Sequence, residues 1–250
     1  MKLEVEVDQL LIISDLHLGN PASQAAANLP ALLDEVLTPD WTLCINGDAV
    51  DLTQGTVTGI ARDLRPVVKR LRDFSRAGGR LLYAIGNHDL VFEHFLTELP
   101  FEVAPFFNVR CGDHRIRVEH GHAYEPTYAR YPGLYELGGR MAKPLLVAHA
   151  DVYRLWSTTQ RAVDRWRRGS GEYPHHVAAD ALFERGFDVA VFGHTHLPEV
   201  TEREGGTFVN CGDWLRDTTL VRVTAAGVSL ERLVETEDGL AVQRFAGRRA

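Results

Sequence analysis

Six of the eleven histidines lie in short segments rich in Gly, Asp and Asn, each of which follows an apolar run. These six are His17, His88, His120, His122, His194 and His196. The same segments contain the oxygen-bearing residues Asp15, Asp48, Asn87 and Asp89. Neutral imidazole nitrogens and ionised carboxylates are ligands of divalent transition metals, and a set without thiolates suits Mn, Fe, Zn or Co. The sequence therefore predicts a metal centre.

Seven side chains supply enough donors for two ions. Asp48 has two carboxylate oxygens, and we expect it to hold one ion with each. The first ion is then bound by Asp15, His17, Asp48 and His196. The second ion is bound by Asp48, Asn87, His120 and His194. Water shared between two such cations is acidic enough to act as hydroxide near neutral pH, and we expect Mn in both sites, with Fe, Zn or Co as alternatives.

Buried strands are expected to deliver these segments to one place. Apolar runs at residues 10–14, 43–46, 81–85 and 189–192 each lead into a polar segment, as buried strands lead into loops. Between the second and third runs, apolar residues recur at helical spacing over residues 64–74, before a Gly-Gly stop. This alternation predicts an α/β core whose polar loops converge beyond the carboxyl ends of the strands.

The carboxyl-terminal part has a different pattern. Residues 207–211, 218–223 and 228–233 read as short strands joined by turns, and we expect them to complete a second sheet. Asn210 and Asp213 flank a glycine and read as turn residues, with a position lining the site as the alternative.

Five motifs together resemble the calcineurin-like metallophosphoesterase family. They are Asp15-Leu16-His17, Gly47-Asp48 with Asp51, Gly86-Asn87-His88-Asp89, His120-Gly121-His122 and Gly193-His194-Thr195-His196. All five occur in the family's order. The resemblance implies an α/β fold, a two-sheet sandwich flanked by helices, in a single domain over residues 1–250. It also implies the metal ligands given above and a dinuclear phosphoesterase mechanism.

Two catalytic residues follow from this reading. We expect His88 to protonate the leaving oxygen or to stabilise the transition state, because an imidazolium beside a phosphate can do either. We expect the adjacent Asp89 to hold the orientation of His88. Asp51 has two interpretations, as an acceptor that orients a metal ligand or as the N-cap of a helix.

A narrower resemblance concerns the substrate. The Ser14-Asp15-Leu16-His17-Leu18 segment, with a helical insert after the His120 motif, is similar to the UDP-2,3-diacylglucosamine pyrophosphohydrolases of lipid A synthesis. Those enzymes usually place Arg at the position of His88 and Asp at that of His122, so a generic nucleotide or small-molecule phosphodiesterase or phosphatase is the alternative. A non-catalytic scaffold is a third interpretation. Such a protein usually lacks some of the predicted metal ligands or His88, and this sequence contains all of them.

The helical pattern of the insert, at about residues 124–170, predicts a helical cap. Residues 125–171 contain eight Arg or Lys and four Asp or Glu, a net charge of +4, together with several aromatic residues. We expect this cap to bind an anionic substrate that is lipid- or nucleotide-linked. The predicted substrate-binding residues are His122, Arg140, Lys143, Arg154 and Arg161. The alternative is an ordinary helical excursion with solvated arginines.

Charge and composition restrict the remaining classes. The net charge of −7 argues against general nucleic-acid binding, which normally needs a basic surface. Early acidic residues interrupt any apolar run at the amino terminus, so we expect a cytoplasmic protein, with peripheral membrane contact still compatible. Cys44, Cys111 and Cys211 form no CxxC pair and read as structural. The sequence assigns no oligomeric state.

Overall fold

The computed structural model describes residues 4–52, 55–89, 100–131, 158–159, 162, 173–236 and 239–245. The strands in these ranges are β1 (Glu4–Val7), β2 (Gln9–Ile13), β3 (Thr42–Asn46), β4 (Arg80–Ala84), β5 (Phe101–Ala104), β6 (Phe106–Cys111), β7 (His114–Glu119), β8 (Val189–Phe192), β9 (Glu199–Arg203), β10 (Gly206–Asn210), β11 (Thr219–Thr224), β12 (Gly227–Thr236) and β13 (Gly239–Arg244). The helices are α1 (Ala25–Glu35), α2 (Val57–Arg76), α3 (Pro126–Arg130) and α4 (Pro174–Phe183), with a 3-10 turn at His122–Tyr124.

The strands form two mixed sheets. The seven-stranded sheet has the order β13-β12-β11-β2-β3-β4-β5, and the six-stranded sheet has the order β1-β6-β7-β8-β10-β9. Strands β2, β3, β4 and β5 run parallel, as do β7, β8 and β10. The carboxyl ends of β2, β3, β4, β7 and β8 lead into the five motifs, so the predicted α/β core is confirmed.

The expectation that the carboxyl-terminal strands complete the second sheet is only partly right. Strands β9 and β10 join the six-stranded sheet, but β11, β12 and β13 extend the seven-stranded sheet. The connection is made by β11, which pairs antiparallel with β2 on the side opposite β3. Both sheets are therefore completed by residues that follow the last histidine motif.

Alternating burial explains the layers. In β2, Leu10 and Ile12 face the six-stranded sheet, whereas Leu11 and Ile13 face a second apolar cluster that includes Leu29 of α1. Helix α2 adds Val67, Leu71 and Phe74 to that cluster. A third cluster, between α4 and the outer face of the six-stranded sheet, completes a helix-sheet-sheet-helix sandwich.

Helix α2 begins earlier than the helical spacing at residues 64–74 indicates, and it ends just before the predicted Gly-Gly stop. Thr56 precedes it in an extended conformation, and the Thr56 hydroxyl accepts a hydrogen bond from the Gly59 N–H at 3.1 Å. Past the last turn, Gly78 has φ 105°, a left-handed conformation that a glycine adopts without a steric penalty. Thr56 is therefore the N-cap, which removes one of the two interpretations of Asp51.

Most of the predicted cap lies outside the described residues. Within residues 124–170 the described part comprises residues 124–131, which include helix α3, and the helical residues 158–159 and 162. The cap and the single-domain assignment stay predictions. No helix in the described ranges is long and apolar enough to cross a membrane. The three cysteines are buried and free.

Candidate metal centre

The loops after β2 and β8 bring three predicted ligands together. The Asp15 Oδ1 atom lies 3.3 Å from His196 Nε2 and 3.9 Å from His17 Nε2. The two Nε2 atoms are 3.3 Å apart. We call Asp15, His17 and His196 the first group. Their ligand atoms all lie within 4.8 Å of one another, close enough to bind one ion.

A second group forms beside it from the loops after β3, β7 and β8. It consists of Asp48, His120 and His194, whose ligand atoms also lie within 4.8 Å of one another. His120 Nε2 is 3.2 Å from Asp48 Oδ2, and the rings of His120 and His194 are 5.4 Å apart. Each group thus combines a carboxylate from the seven-stranded sheet with imidazoles that include at least one from the six-stranded sheet.

His88 lies next to both groups. Its Nε2 atom is 3.8 Å from Asp48 Oδ2, its Nδ1 atom is 3.8 Å from Asp51 Oδ1, and its ring centroid is 5.2 Å from that of His17. His17, Asp51 and His88 form a further cluster with metal-ligand spacing. The side chain is 15% exposed, so the imidazole is reachable from solvent at the edge of the centre.

Left-handed backbone conformations concentrate at the predicted ligands. Six non-glycine residues in the described ranges have φ in this region, and five of them are Asp15 (55°), His17 (47°), Asp48 (52°), His194 (67°) and His196 (58°). Such a conformation costs roughly 1–3 kcal/mol for a residue with a Cβ atom, and it persists where the surroundings impose it. These backbone conformations direct the five side chains towards the two groups of predicted ligands.

Hydrogen bonds beneath the centre fix the loops. The Ser14 hydroxyl oxygen lies 2.5 Å from Asp15 Oδ2 and 2.6 Å from the backbone oxygen of Asn46, and its one hydrogen can be donated to either acceptor. The Asn46 backbone oxygen also lies 2.8 Å from His120 Nδ1. A Cβ atom on Gly47 would collide with the His120 ring, and one on Gly193 would collide with Ser14. Close approach of the loops therefore requires glycine at both positions.

Carboxylates raise the pKa of two imidazoles. Burial disfavours the charged form of His17, but the hydrogen bond and charge of Asp51, with further carboxylates, outweigh it and raise the pKa to about 9. At His120, burial is likewise outweighed by Asp48 and Asp15, and the pKa rises to about 10. The pocket therefore favours positive charge at these two positions.

Two other imidazoles have lowered pKa values. Burial, followed by repulsion from His120, lowers the pKa of His122 to about 4 and that of His194 well below its ordinary value. The imidazoles of His122 and His194 are thus neutral at neutral pH, which is the form that binds metal.

The carboxyl group of Asp89 has a raised pKa. Burial, followed by repulsion from Asp48, raises the pKa of Asp89 to about 7.

The donor set fits a metal ion. The buried atoms of predicted ligands that have no hydrogen-bond partner within the described part of the chain include Asp15 Oδ1, Asn87 Oδ1 and His120 Nε2. Buried polar atoms normally have a partner, so unpartnered polar atoms that converge from separate loops need an explanation. A mixed set of imidazole, carboxylate and amide ligands without thiolate suits the first-row divalent metals.

Asp89 is positioned differently from the expectation that it orients His88. Its Oδ2 atom accepts hydrogen bonds from the backbone N–H groups of Asp48 at 2.5 Å and Gly86 at 3.1 Å. The carboxylate therefore joins the loops after β3 and β4. The carboxylates beside the His88 ring are those of Asp48 and Asp51.

Asp51 and Asp213 each lie behind an imidazole of the first group. Asp51 Oδ2 is 3.5 Å from His17 Nδ1, and Asp213 Oδ2 is 3.1 Å from His196 Nδ1. Asp213 was expected mainly as a turn residue, and only its place beside Gly212 marked it in the sequence. Asn210 holds the His194 loop, since its amide donates to the Gly193 carbonyl at 2.8 Å.

The predicted substrate-binding residues divide into two sets. His122 lies at the edge of the second group, with its ring 5.5 Å from that of His120 and 5.1 Å from that of Tyr128. Arg140, Lys143, Arg154 and Arg161 lie outside the described residues.

Sequence comparison defines the class of this protein. It belongs to the calcineurin-like phosphoesterase family, whose model matches residues 9–198. The UDP-2,3-diacylglucosamine hydrolase of Xanthomonas axonopodis pv. citri (strain 306) is 31% identical over 248 residues, covering 89% of this chain and 98% of that protein. The enzyme of the same name from Xanthomonas oryzae pv. oryzae (strain PXO99A) is 29% identical over 245 residues, with the same coverage. The protein is therefore a hydrolase of phosphate esters or phosphoanhydrides.

Among solved structures, Vps29 from Chaetomium thermophilum aligns with 95% of this chain and 96% of its own, with 17% identity and a TM-score of 0.48.

Proposed function

We propose that this protein is a dinuclear metal-dependent hydrolase that cleaves the diphosphate of a lipid-linked nucleotide related to UDP-2,3-diacylglucosamine. The observation that carries the two-metal assignment is the pair of adjacent histidine and carboxylate groups. Support for the substrate comes from relatives named for it, which align with nearly nine-tenths of the chain. We further propose a cytoplasmic location with peripheral contact to the inner face of the membrane, where such a substrate would be met.

The ligand assignment follows the two groups. The first group would hold one ion and the second group the other, with Asn87 added to the second and Asp48 shared between them. When bound, two divalent ions supply Lewis acidity at phosphorus and generate a nucleophile from water. We propose Mn for both sites, with Fe, Zn or Co as alternatives.

His88 is proposed to act on the leaving oxygen. It is a partly exposed imidazole beside both groups, and the carboxylates of Asp48 and Asp51 each lie 3.8 Å from one of its ring nitrogens. From this position the ring can donate a proton to the departing oxygen or stabilise its charge. Asp51 orients the ring in this proposal, and Asp89 keeps the Asp48 loop in place.

The insert is proposed to bind the distant parts of the substrate. Arg140, Lys143, Arg154 and Arg161 would attract its anionic groups, and the aromatic residues of the same segment would cover its nucleobase or acyl chains. His122, neutral beside the second group, would contact the phosphate end. The contacts from the insert would lie away from the bond that breaks, so they would select the substrate without taking part in its chemistry.

A second candidate is a generic phosphodiesterase or phosphatase for nucleotides or small molecules. The observation that favours it is the pair of histidines at positions 88 and 122, where the resembled diphosphate hydrolases usually have Arg and Asp. A neutral His122 would leave a less charged pocket beside the second group than an aspartate would. The two candidates share the metal centre and differ in whether the insert recognises the substrate.

The experiment compares one large and one small substrate. Arg140, Arg154 and Arg161 are replaced singly by Ala, and kcat/KM is measured for UDP-2,3-diacylglucosamine and for bis(p-nitrophenyl) phosphate. A lost charged contact costs on the order of 2 kcal/mol, or about thirtyfold. We expect that loss on the lipid-linked diphosphate and almost no change on the aryl ester.

The control is Arg110→Ala, which removes an exposed arginine from β6. It should leave both reactions unchanged, because a solvated arginine contributes little. If the parent enzyme hydrolyses the aryl ester well and the lipid-linked diphosphate poorly, and if all three insert variants match the parent, the generic phosphodiesterase is the correct function.

A further inference from the structure

Asp213 uses its two carboxylate oxygens for two different tasks. Oδ1 accepts hydrogen bonds from the backbone N–H groups of Arg216 at 2.9 Å and Asp217 at 3.3 Å, which closes the turn after β10. Oδ2 lies 3.1 Å from His196 Nδ1. The side chain is 1% exposed, so solvent does not compete for either oxygen.

The surroundings prevent this carboxylate from turning away. The neighbouring Trp214 is fully buried, and its indole N–H donates to the Thr219 carbonyl at 3.0 Å. The Trp214 backbone N–H donates to the Asp15 carbonyl at 3.1 Å, which ties the turn to the loop that carries the first group. Oδ2 is therefore held against the His196 ring by backbone and core contacts.

A carboxylate at Nδ1 determines which ring nitrogen carries the proton. It accepts the Nδ1–H of the neutral imidazole, so the lone pair is left on Nε2. In His196 the Nε2 atom is the one that lies 3.3 Å from both Asp15 Oδ1 and His17 Nε2. The proton is thus kept on the side of the ring that faces away from the first group.

We propose that Asp213 is a positioning residue of the metal centre, which acts only through His196 by fixing its ring orientation and its Nδ1–H tautomer. This inference rests on the proposed metal centre. In this role Asp213 is neither a metal ligand nor a contact of the substrate. Its competing interpretation is that of a turn residue, whose only task is the pair of backbone hydrogen bonds at Oδ1.

Asp213→Asn separates the two interpretations. The Asn carbonyl oxygen can still accept the N–H groups of Arg216 and Asp217, so the turn is kept. The amide NH₂ then faces His196 Nδ1, and a donor at that position favours the tautomer with the proton on Nε2. That tautomer has no lone pair at Nε2 for a metal ion. A turn residue would tolerate the change, whereas a positioning residue would not.

The first measurement is metal affinity, obtained by competition with a chelator using Mn²⁺ and Zn²⁺ on the metal-free protein. In Asp213→Asn we expect one of two binding steps to weaken by about 10 to 100-fold, the usual effect of removing a partner of a metal-bound histidine. The melting temperature of the metal-free protein should not change. Asp188→Asn is the matched control, because Asp188 also accepts a backbone N–H, from Arg115 at 2.7 Å, at the far end of β8.

The second measurement tests whether Asp213 acts through His196. In a His196→Ala background, adding Asp213→Asn should cause no further loss of metal affinity, since the residue it acts on is gone. A further loss would overturn the proposal, and so would a single Asp213→Asn variant with both affinities of the parent.

The third measurement does not depend on a metal. Long-range proton–nitrogen NMR spectra of histidine-labelled parent protein, metal-free and at mildly alkaline pH, should show His196 as the Nδ1–H tautomer. The Nε2–H tautomer would overturn the proposal even if Asp213→Asn did not fold. A parent that binds no second ion but shows the Nδ1–H tautomer would instead contradict the dinuclear function and leave the role of Asp213 intact.

Discussion

The two groups of the metal centre differ in what lies behind their imidazoles. In the first group, His17 and His196 each have a carboxylate at Nδ1, from Asp51 and Asp213. In the second group, His120 has a neutral acceptor at Nδ1, the carbonyl oxygen of Asn46. A carboxylate makes an imidazole a stronger ligand than a carbonyl does. If each group binds an ion, the two sites would not be equivalent although they are built from the same residue types, and the first should bind its ion more tightly.

Asp48→Ala should have the largest effect, because Asp48 is proposed to bind the ions of both groups. If one carboxylate serves both ions, the variant should lose activity by several orders of magnitude and bind less metal at both sites. Kinetics and elemental analysis check this outcome, with Cys111→Ala as the control, since that buried thiol is remote from the proposed chemistry. A variant that kept full metal content and turnover would show that the groups do not share Asp48.

His88→Ala should separate catalysis from metal binding. The ring lies beside both groups but is assigned to neither, so the variant should keep its metal and lose about 10² to 10⁴-fold in rate. The loss should be larger for a substrate with a poor leaving group than for an activated aryl ester, whose oxygen hardly needs a proton. Equal losses would indicate charge stabilisation, and a lost ion would make His88 a ligand.

The difference between the groups should appear as two binding steps. Elemental analysis should find close to two ions per chain, and a titration of the metal-free protein should resolve affinities that differ by about 10 to 100-fold. Asp51→Asn should weaken only the tighter step, and His194→Ala only the weaker one. A single ion with full activity would contradict the dinuclear assignment. Two binding steps of equal affinity would contradict the expected difference between the two groups.

The pKa values of His17 and His120 predict a smaller, pH-dependent effect. Metal binding needs neutral imidazoles, so an ion must displace the protons held in the metal-free protein with pKa values of about 9 and about 10. Affinity should rise with pH above 7, over a wider range for the second group. Calorimetry in two buffers of different ionisation enthalpy should detect nearly two protons released at pH 7, and no release would refute the prediction.

The same protons affect stability without metal. Both folded-state pKa values lie above the ordinary value of 6.5, so their contribution is fully present below that pH and is lost as the pH rises through 9 to 10. The free energy of unfolding of the metal-free protein should fall over this range by on the order of a few kcal/mol. Denaturant titrations at several pH values check this, and a flat profile would count against it.

The sequence predicted the members of the centre better than their support. The five motifs are local, and each is delivered by a strand whose apolar pattern is visible, so the convergence of Asp15, Asp48 and His120 could be predicted. The partners of the imidazoles were less certain, because Asp51 had two open interpretations and Asp213 was expected mainly as a turn residue. Asp213 meets His196 through the turn that follows β10, and no local pattern encodes such a contact.

Two further differences have the same origin. Asp51 could be either an N-cap or an acceptor until Thr56 was found to cap α2. Asp89 follows His88 directly, which suggested that it orients that ring, yet the turn sends its carboxylate to the backbone of the Asp48 loop. Adjacent residues in a tight turn point in different directions, so sequence proximity was a poor guide to contact. The sequence did not show that β11, β12 and β13 join the seven-stranded sheet. Their position depends on which strand edge is free to pair, here that of β2, and a local sequence pattern does not contain this information.

Both groups take ligands from the two sheets, and this gives bound metal a mechanical role. Across most of the sandwich the sheets are joined by apolar side chains such as Ile12 and Val118, whose contacts are numerous but have no preferred direction. At the carboxyl ends of the strands, ligation would add directional bonds from Asp15 and Asp48 on one sheet to His196 and His120 on the other. Metal would thereby act as a reversible cross-link at one end of the sandwich, so the spacing of the sheets at the catalytic cleft would depend on how much metal the protein holds.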